Sequence, residues 1–196
     1  FRYEKPQAGR LREFHQFGVE CFGSSSPASD VQTIKIGHTL LKELGIHAVL
    51  NINSIGCPTC RGAFQAALKE YFSARKEELC QTCNDRLERN PMRILDCKSP
   101  VCKEIAAGAP LITDFLCESC RGHYEALQEG LSEAGIPFVK DPHIVRGLDY
   151  YTKTVFEFLD QNGLALLAGG RYDGLVREID GKAEVCGLGF ASGIER

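Results

Sequence analysis

Apolar positions recur along this chain with two different periods, and the period changes twice. From Phe1 to about Gly23 the pattern predicts a strand, a polar loop and a second strand. The loop is KPQAGRLRE, Lys5 to Glu13, with Pro6 and Gly9 as turn residues. Ser24–Pro27 breaks the alternation. Ser29 or Asp30 is then placed to cap a helix that carries Val31, Ile34, Leu41 and Leu44 on one face and ends at Gly45. His47–Asn53 alternates again and predicts a strand. From Gly56 to Gly135 the spacing becomes helical. Phe64, Ala67, Leu68, Tyr71 and Phe72 form one stripe, and Tyr124, Leu127, Leu131 and Ala134 another. Turn residues at Asn90-Pro91 and Ser99-Pro100 separate the two. After Pro137 the strand period returns, at Thr154–Leu159, Leu164–Ala168 and Val185–Phe190. Two β-rich segments thus flank an α-rich one. The expected architecture is α+β, an antiparallel sheet with helices interrupted by a mostly helical insertion, with boundaries at 1–54, 55–139 and 140–196.

Composition narrows the function. The net charge of −3 offers no global basic field, so any contact with nucleic acid has to come from a local patch. No apolar run approaches the ~20 residues that span a bilayer. No secretory leader pattern opens the chain. It begins at Phe1 rather than Met and stops at Arg196 just after a helix-opening pattern, which reads as an internal segment of a longer protein.

Ten cysteines are the compositional exception. Eight fall in the helical segment: CPTC (Cys57, Cys60), CQTC (Cys80, Cys83), Cys97 with Cys102, and CESC (Cys117, Cys120). A CxxC pair lets two thiolates converge on one tetrahedral ion, and four thiolates close a structural zinc site. CPTC and CESC both stand just before helices, where the helix dipole favours thiolate, and are expected to pair. CQTC is then left to Cys97 and Cys102. Buried free thiols or a redox pair are the competing readings. An iron–sulfur cluster is disfavoured because no compact cluster-binding run is present. Cys21 and Cys186, in strand-like segments, are expected in the core.

The densest chemistry lies in RGLDYYTKTVFEF, Arg146 to Phe158. A guanidinium binds carboxylate or phosphate as a rigid fork, and phenols read a small polar ring from inside an apolar pocket. Three further runs accompany it: EFHQFGVECFG (Glu13–Gly23), LAGGRYDGL (Leu167–Leu175) and CGLGFASGIER (Cys186–Arg196). Singly, each has a bland reading as sheet-packing aromatics, a cross-strand pair, a glycine bulge or a solvated arginine.

Together and in this order, over nearly the whole chain, they resemble the histidyl-tRNA synthetases, class II aminoacyl-tRNA synthetases. The resemblance implies a class II antiparallel catalytic sheet that activates L-histidine with ATP and Mg2+ and transfers it to tRNA(His), in a cytoplasmic homodimer whose dimer-building first motif and anticodon-binding domain lie outside this chain. Catalysis there falls to Arg2, Arg146 and Arg196. Histidine would be held by Arg2, Gln16, Glu20, Arg146, Tyr150 and Tyr151, with Glu20 and Tyr151 on the imidazole. ATP would meet Arg2, Glu4, Phe14 and Arg196, and the loop residues Gln7, Arg10 and Arg12 the acceptor end of tRNA. Lys153 replaces a residue that is often small in the family and is expected to face outward. The resemblance does not supply zinc. A rival is a non-catalytic, histidine-sensing regulatory relative, which typically lacks both the Arg146 motif and the insert. A third reading, a zinc-dependent RNA-binding module, leaves the flanking motifs unexplained.

Overall fold

The computed structural model describes residues 1–3, 11–144 and 150–196. Its centre is a six-stranded sheet in the order β1 (Gln16–Phe22), β6 (Gly187–Gly193), β5 (Ala165–Arg171), β4 (Thr152–Leu159), β2 (Val49–Ser54), β3 (Phe138–Lys140). All neighbours run antiparallel except β2 and β3, which are parallel. A parallel pair needs a crossover. Here the long chain between β2 and β3 supplies it, and its last helix, α5 (Glu118–Glu133), packs back beside α1 (Pro27–Glu43).

α1 begins one turn earlier than expected. Ser26, not Ser29 or Asp30, is the cap, its Oγ accepting from the Ala28 N–H. Pro27 at the first helical position has no N–H to lose and sets the helix in motion there. Asp30 is instead turned inward and buried. Gly45, at φ +70°, ends the helix as expected, but Leu44 is exposed. Near the N-terminus, Phe1–Tyr3 form no strand, although the Arg2 N–H donates to the Arg12 carbonyl.

Between β2 and β3 lie α2 (Pro58–Ser73), α3 (Gln81–Arg89), α4 (Pro100–Ala107) and α5. Phe64, Leu68 and Phe72 on α2 and Tyr124, Leu127 and Leu131 on α5 are buried, following the predicted stripes. They join Leu50, Ile52, Phe156, Phe158, Leu167, Leu188 and Phe190 of the sheet in one continuous apolar core. Strand alternation sends the intervening residues to the opposite face. There a second, smaller apolar group forms from Ile55, Ile144, Tyr151, Val155 and Tyr172. Among the described residues no helix is long and apolar enough to cross a membrane.

Candidate functional site

The strand pairings place five residues of that second face in one row across the sheet. Glu20 on β1 pairs with Gly189 on β6, Gly189 with Gly170 on β5, Gly170 with Val155 on β4, and Val155 with Asn53 on β2. The two glycines leave a floor without side chains, and the space is taken. A Cβ on Gly189 would lie 1.8 Å from Glu20 Oε2, and one on Gly170 would lie 2.9 Å from the Tyr151 ring. Tyr151 is buried, Tyr150 packs against it with the rings tilted and their centroids 4.7 Å apart, and Tyr172 meets Tyr150 edge-on at 6.0 Å. The Tyr172 hydroxyl donates to the Glu20 carboxylate. Burial, and then that bond and its negative charge, push the Tyr172 phenol up from its ordinary value, so it stays a donor.

The structure therefore gathers Glu20, Tyr150 and Tyr151 as the motifs suggested, and adds Tyr172, which sequence reasoning missed. The available signal was its place in GGRYD, one residue beyond a strand whose glycines open the floor. Asn53 was missed as well. It is fully buried, and its amide donates to the carbonyls of Pro142 and Ile144, both at 3.2 Å, four and two residues before Arg146.

The remaining predicted residues fall into three groups. Arg2 is half-buried, donates from Nε to the Leu11 carbonyl at 2.8 Å, and holds its guanidinium 4.3 Å above the Phe14 ring. Gln16 opens β1 opposite Gly193, and just beyond them the His15 N–H donates to Glu195 at 2.7 Å. Arg196 is exposed next to this junction and donates to the Ala165 carbonyl. Arg12 is exposed, 6.0 Å from the Tyr3 ring. Glu4, Gln7, Arg10 and Arg146 lie outside the described residues.

Two expectations are corrected. Lys153 does not face outward: it is only partly exposed and pairs with Asp173 at 3.5 Å, at a left-handed φ of 51°. That conformation favours glycine, a physical reason for a small residue at this position. Cys21 and Cys186 are half-buried rather than core residues, Cys21 packing at the margin of the main core.

Behind the pocket lies a buried ionic group. Arg171 and Asp30 are both 0% exposed. The Arg171 guanidinium donates to both Asp30 oxygens, to the carbonyls of Ser24 and Ser26, and to Asp173. His123 Nε2 stands 3.3 Å from Asp30 Oδ1. Burial alone would raise the Asp30 carboxyl; His123 and Arg171 outweigh it and hold the group below its ordinary value.

The eight cysteines between β2 and β3 form two clusters, grouped as the spacing suggested. Cys57, Cys60, Cys117 and Cys120 bring their sulfurs within 4.8 Å of one another, and so do Cys80, Cys83, Cys97 and Cys102. Individual separations are 3.6 Å for Cys57–Cys60, 4.0 Å for Cys57–Cys117 and 3.9 Å for Cys80–Cys97. Disulfides lie near ~2.05 Å. Four thiolates at ~2.3 Å around one ion stand about 3.8 Å apart. These separations match the second geometry. Backbone N–H groups point at sulfur: Cys117 to Cys60 at 3.1 Å, Cys80 to Cys102 at 3.3 Å and Ser99 to Cys97 at 3.5 Å. For Cys57, burial would raise the thiol, but hydrogen bonds from Cys60 and Thr59 win and bring it down to about 6. Cys80 falls to about 7, chiefly through the Cys83 backbone N–H. Cys83 and Cys120 are pushed up, first by burial. Each cluster thus pairs one thiol lowered toward neutrality with others that burial raises.

The sheet, the glycine floor and the acid–phenol pocket define a class II aminoacyl-tRNA synthetase fold. The family profile described as Histidyl-tRNA synthetase matches residues 1–84 and 105–196. The skipped stretch carries Cys97 and Cys102. A histidine–tRNA ligase of Caldicellulosiruptor bescii is 52% identical over 200 aligned positions, covering all of this chain and 47% of the relative. One from Clostridioides difficile is 50% identical over the same span, 48% of its length. The apo crystal structure of S. aureus histidyl-tRNA synthetase superposes with a TM-score of 0.74 at 37% identity, covering 94% of this chain and 46% of that one. The chain belongs to the histidyl-tRNA synthetase family. It spans about half the length of the curated relatives it matches.

Proposed function

We propose that this chain carries the histidine- and ATP-binding part of a histidine–tRNA ligase. The observation that supports this best is the row Glu20–Gly189–Gly170 beneath Tyr151 and Tyr172. Imidazole offers a donor and an acceptor, or two donors when charged. The Glu20 carboxylate and the tyrosine hydroxyls answer both, and Tyr172 fixes the Glu20 rotamer. A site that hydrogen-bonds a substrate N–H rejects analogues lacking it by ~10⁴ or more.

The reaction needs no nucleophile or base from the protein. An oxygen of the histidine carboxylate attacks the α-phosphorus of ATP. The bond to the bridging oxygen breaks, and pyrophosphate leaves with the electron pair and the magnesium that ATP brought. A terminal ribose hydroxyl of tRNA(His) then attacks the adenylate carbonyl; the acyl–phosphate bond breaks, AMP leaves with its electron pair, and the hydroxyl proton passes to the departing phosphate or to solvent. Positioning and charge neutralisation dominate such chemistry. Arg2 and Arg146 are assigned to the carboxylate and α-phosphate, Arg196 to the ATP tail. Glu4 and Phe14 take the adenine, Gln16 and Tyr150 the histidine, and Gln7, Arg10 and Arg12 the tRNA acceptor end. The reading includes a cytoplasmic homodimer.

The eight insert thiols are assigned to two structural zinc ions. The near-tetrahedral sulfur spacing and the depressed Cys57 and Cys80 thiols support this. Zinc closed by four thiolates has no open position, so it contributes folding energy and no reaction step.

ATP–pyrophosphate exchange with each amino acid, on a chain of the relatives' full length, tests the assignment. Exchange with histidine alone is expected. Equal exchange with glutamine or phenylalanine defeats it, and tight histidine binding with no exchange returns the regulatory reading.

A further inference from the structure

The two cysteine clusters have different surroundings. The first is built directly against the histidine pocket, and its two CxxC halves reach that pocket by separate routes.

The CPTC half is joined to the tyrosine segment. Residues Ile55 and Gly56 continue the β2 edge past its end. The Ile55 N–H donates to the Lys153 carbonyl and the Lys153 N–H donates to the Gly56 carbonyl, both at 2.8 Å. Ile55 packs with Tyr151 and Tyr172. Gly56, at φ +62°, turns the chain so tightly onto the cluster that a Cβ there would lie 2.7 Å from Cys60 Cβ. Arg61, next after Cys60, donates from Nη1 to the Tyr151 carbonyl at 3.1 Å. The backbone at the pocket's main phenol and just after it, from the Tyr151 carbonyl to Lys153, is therefore fastened to the turn and the helix end that carry Cys57 and Cys60.

The CESC half is joined to the other phenol. Cys117 caps α5 and Cys120 lies in its first turn. His123 is one turn further on and pairs with Asp30, Asp30 holds Arg171, and Arg171 precedes Tyr172, whose hydroxyl orients Glu20. An ion bridging Cys57, Cys60, Cys117 and Cys120 fixes the starts of α2 and α5 relative to each other. It thereby fixes Tyr151 relative to Tyr172.

The second cluster lies farther out, on α3, α4 and the turn between them. α3 packs on α2 and on the 3-10 turn Pro91–Ile94. Polar ties around it join neighbouring parts of the same segment: Lys69 to Glu88 at 2.8 Å, Tyr71 to the Ile105 carbonyl at 2.9 Å, and Arg86 to the Arg93 carbonyl at 2.9 Å. Two of its ligands come from the stretch outside the family match.

Resting on the ligase reading and the zinc assignment, we infer that the two sites divide their work: the metal held by Cys57, Cys60, Cys117 and Cys120 positions the histidine pocket, whereas the metal held by Cys80, Cys83, Cys97 and Cys102 only folds the outer insert. The first four cysteines and Arg61 are positioning residues, and none of them touches substrate.

The test compares Cys117→Ser with Cys97→Ser in a chain of the relatives' full length. Zinc content, histidine KM and kcat in pyrophosphate exchange are read for each. Both variants should lose one of two zinc equivalents. Cys117→Ser should raise the histidine KM about tenfold or more, since small misplacements of binding groups cost that much. Cys97→Ser should leave it within about twofold. Equal effects of the two variants, or no change in either with one equivalent gone, overturn the division of work. Wild-type protein free of zinc overturns the zinc assignment, and wild-type protein without histidine-dependent exchange overturns the ligase reading. Should Cys117→Ser fail to fold, Arg61→Ala replaces it. It should keep both zinc equivalents and still raise the histidine KM, and an unchanged KM counts against the coupling. Cadmium NMR on the reloaded wild-type protein gives an independent readout. Histidine should shift one of two resonances; two unmoved resonances, or both moved equally, contradict the inference.

Discussion

Tyr172, just beyond β5, donates its hydroxyl to Glu20 on β1, and the bond passes over Gly189 of the intervening strand β6. Neither residue reaches the other unless that glycine lacks a side chain, since a Cβ there would collide with the Glu20 carboxylate. The Glu20 carboxylate is thus oriented by a neighbour two strands away.

Removing the Tyr172 hydroxyl tests this directly. Tyr172→Phe leaves the ring and takes away the donor to a carboxylate, an interaction worth about 1.5–3 kcal/mol. The histidine KM should rise by roughly tenfold to a hundredfold while the ATP KM stays put. Steady-state exchange kinetics decide it; an unchanged histidine KM would show that Glu20 needs no partner.

Arg146 is the residue on which rate should depend most. Arg146→Ala removes one preorganised charge from the α-phosphate, and adenylate formation should slow by about 10²–10³. Lysine should rescue only partly because it lacks the planar fork. Single-turnover adenylate formation is the measurement, and a wild-type rate would strike Arg146 from the catalytic set.

Asn53 should act on the same step from a distance. Its amide holds the carbonyls of Pro142 and Ile144, just upstream of Arg146. Asn53→Leu is expected to lower kcat more than it changes the histidine KM, because Glu20 and the tyrosines remain in place. A change confined to thermal stability would assign Asn53 to the core instead.

The Asp30–Arg171 pair sets a pH limit on stability. The folded Asp30 carboxyl titrates below its ordinary value. Its stabilisation is therefore fully present above the unfolded pKa, ~3.9, and is lost as pH falls through the lower folded value. Asp30→Asn strips a buried guanidinium of its only fully buried counter-charge, leaving the partly exposed Asp173, and should cost about 3–5 kcal/mol at neutral pH. The variant's remaining stability should also be less sensitive to acid than the wild type's. Denaturant titrations at neutral and acid pH measure both effects; equal midpoint shifts at the two pH values would contradict this account.

Metal removal should act on the insert before the sheet. A strong chelator under reducing conditions is expected to release about two zinc ions per chain, four thiolates closing each site, and to expose thiols along residues 57–120. Elemental analysis with thiol titration reads this. Below about a tenth of an equivalent of zinc, with eight titratable thiols in the folded state, the clusters would be buried free thiols.

Local chemistry was legible in the sequence wherever one short segment contains the whole cause. Gly45 ends α1 because only its own φ matters. The stripes of α2 and α5 follow from helical spacing, and each CxxC converges because its first cysteine caps a helix whose first turn carries the second. The order of strands and helices, and so the α+β class, came from the same periodicities. Glu20, Tyr150 and Tyr151 were named through long motifs rather than through any property of a lone acid or phenol.

What the tertiary structure decided are the relationships between distant segments. Asp30 was read as a helix cap, since an acid near a helix start does that work locally. Only the arrival of Arg171, 141 residues later, makes it a buried ion-pair partner. Tyr172 became a pocket residue because β6 inserts between β1 and β5 with Gly189 in register. Lys153 was turned inward by a left-handed backbone kink and Asp173. β3 joined parallel to β2 because α5 carries the chain back across the sheet. Periodicity records which face of an element is apolar. It does not record which other element that face meets, and charge pairing, glycine clearance and the linkage of the first cysteine cluster to the pocket all depend on that meeting.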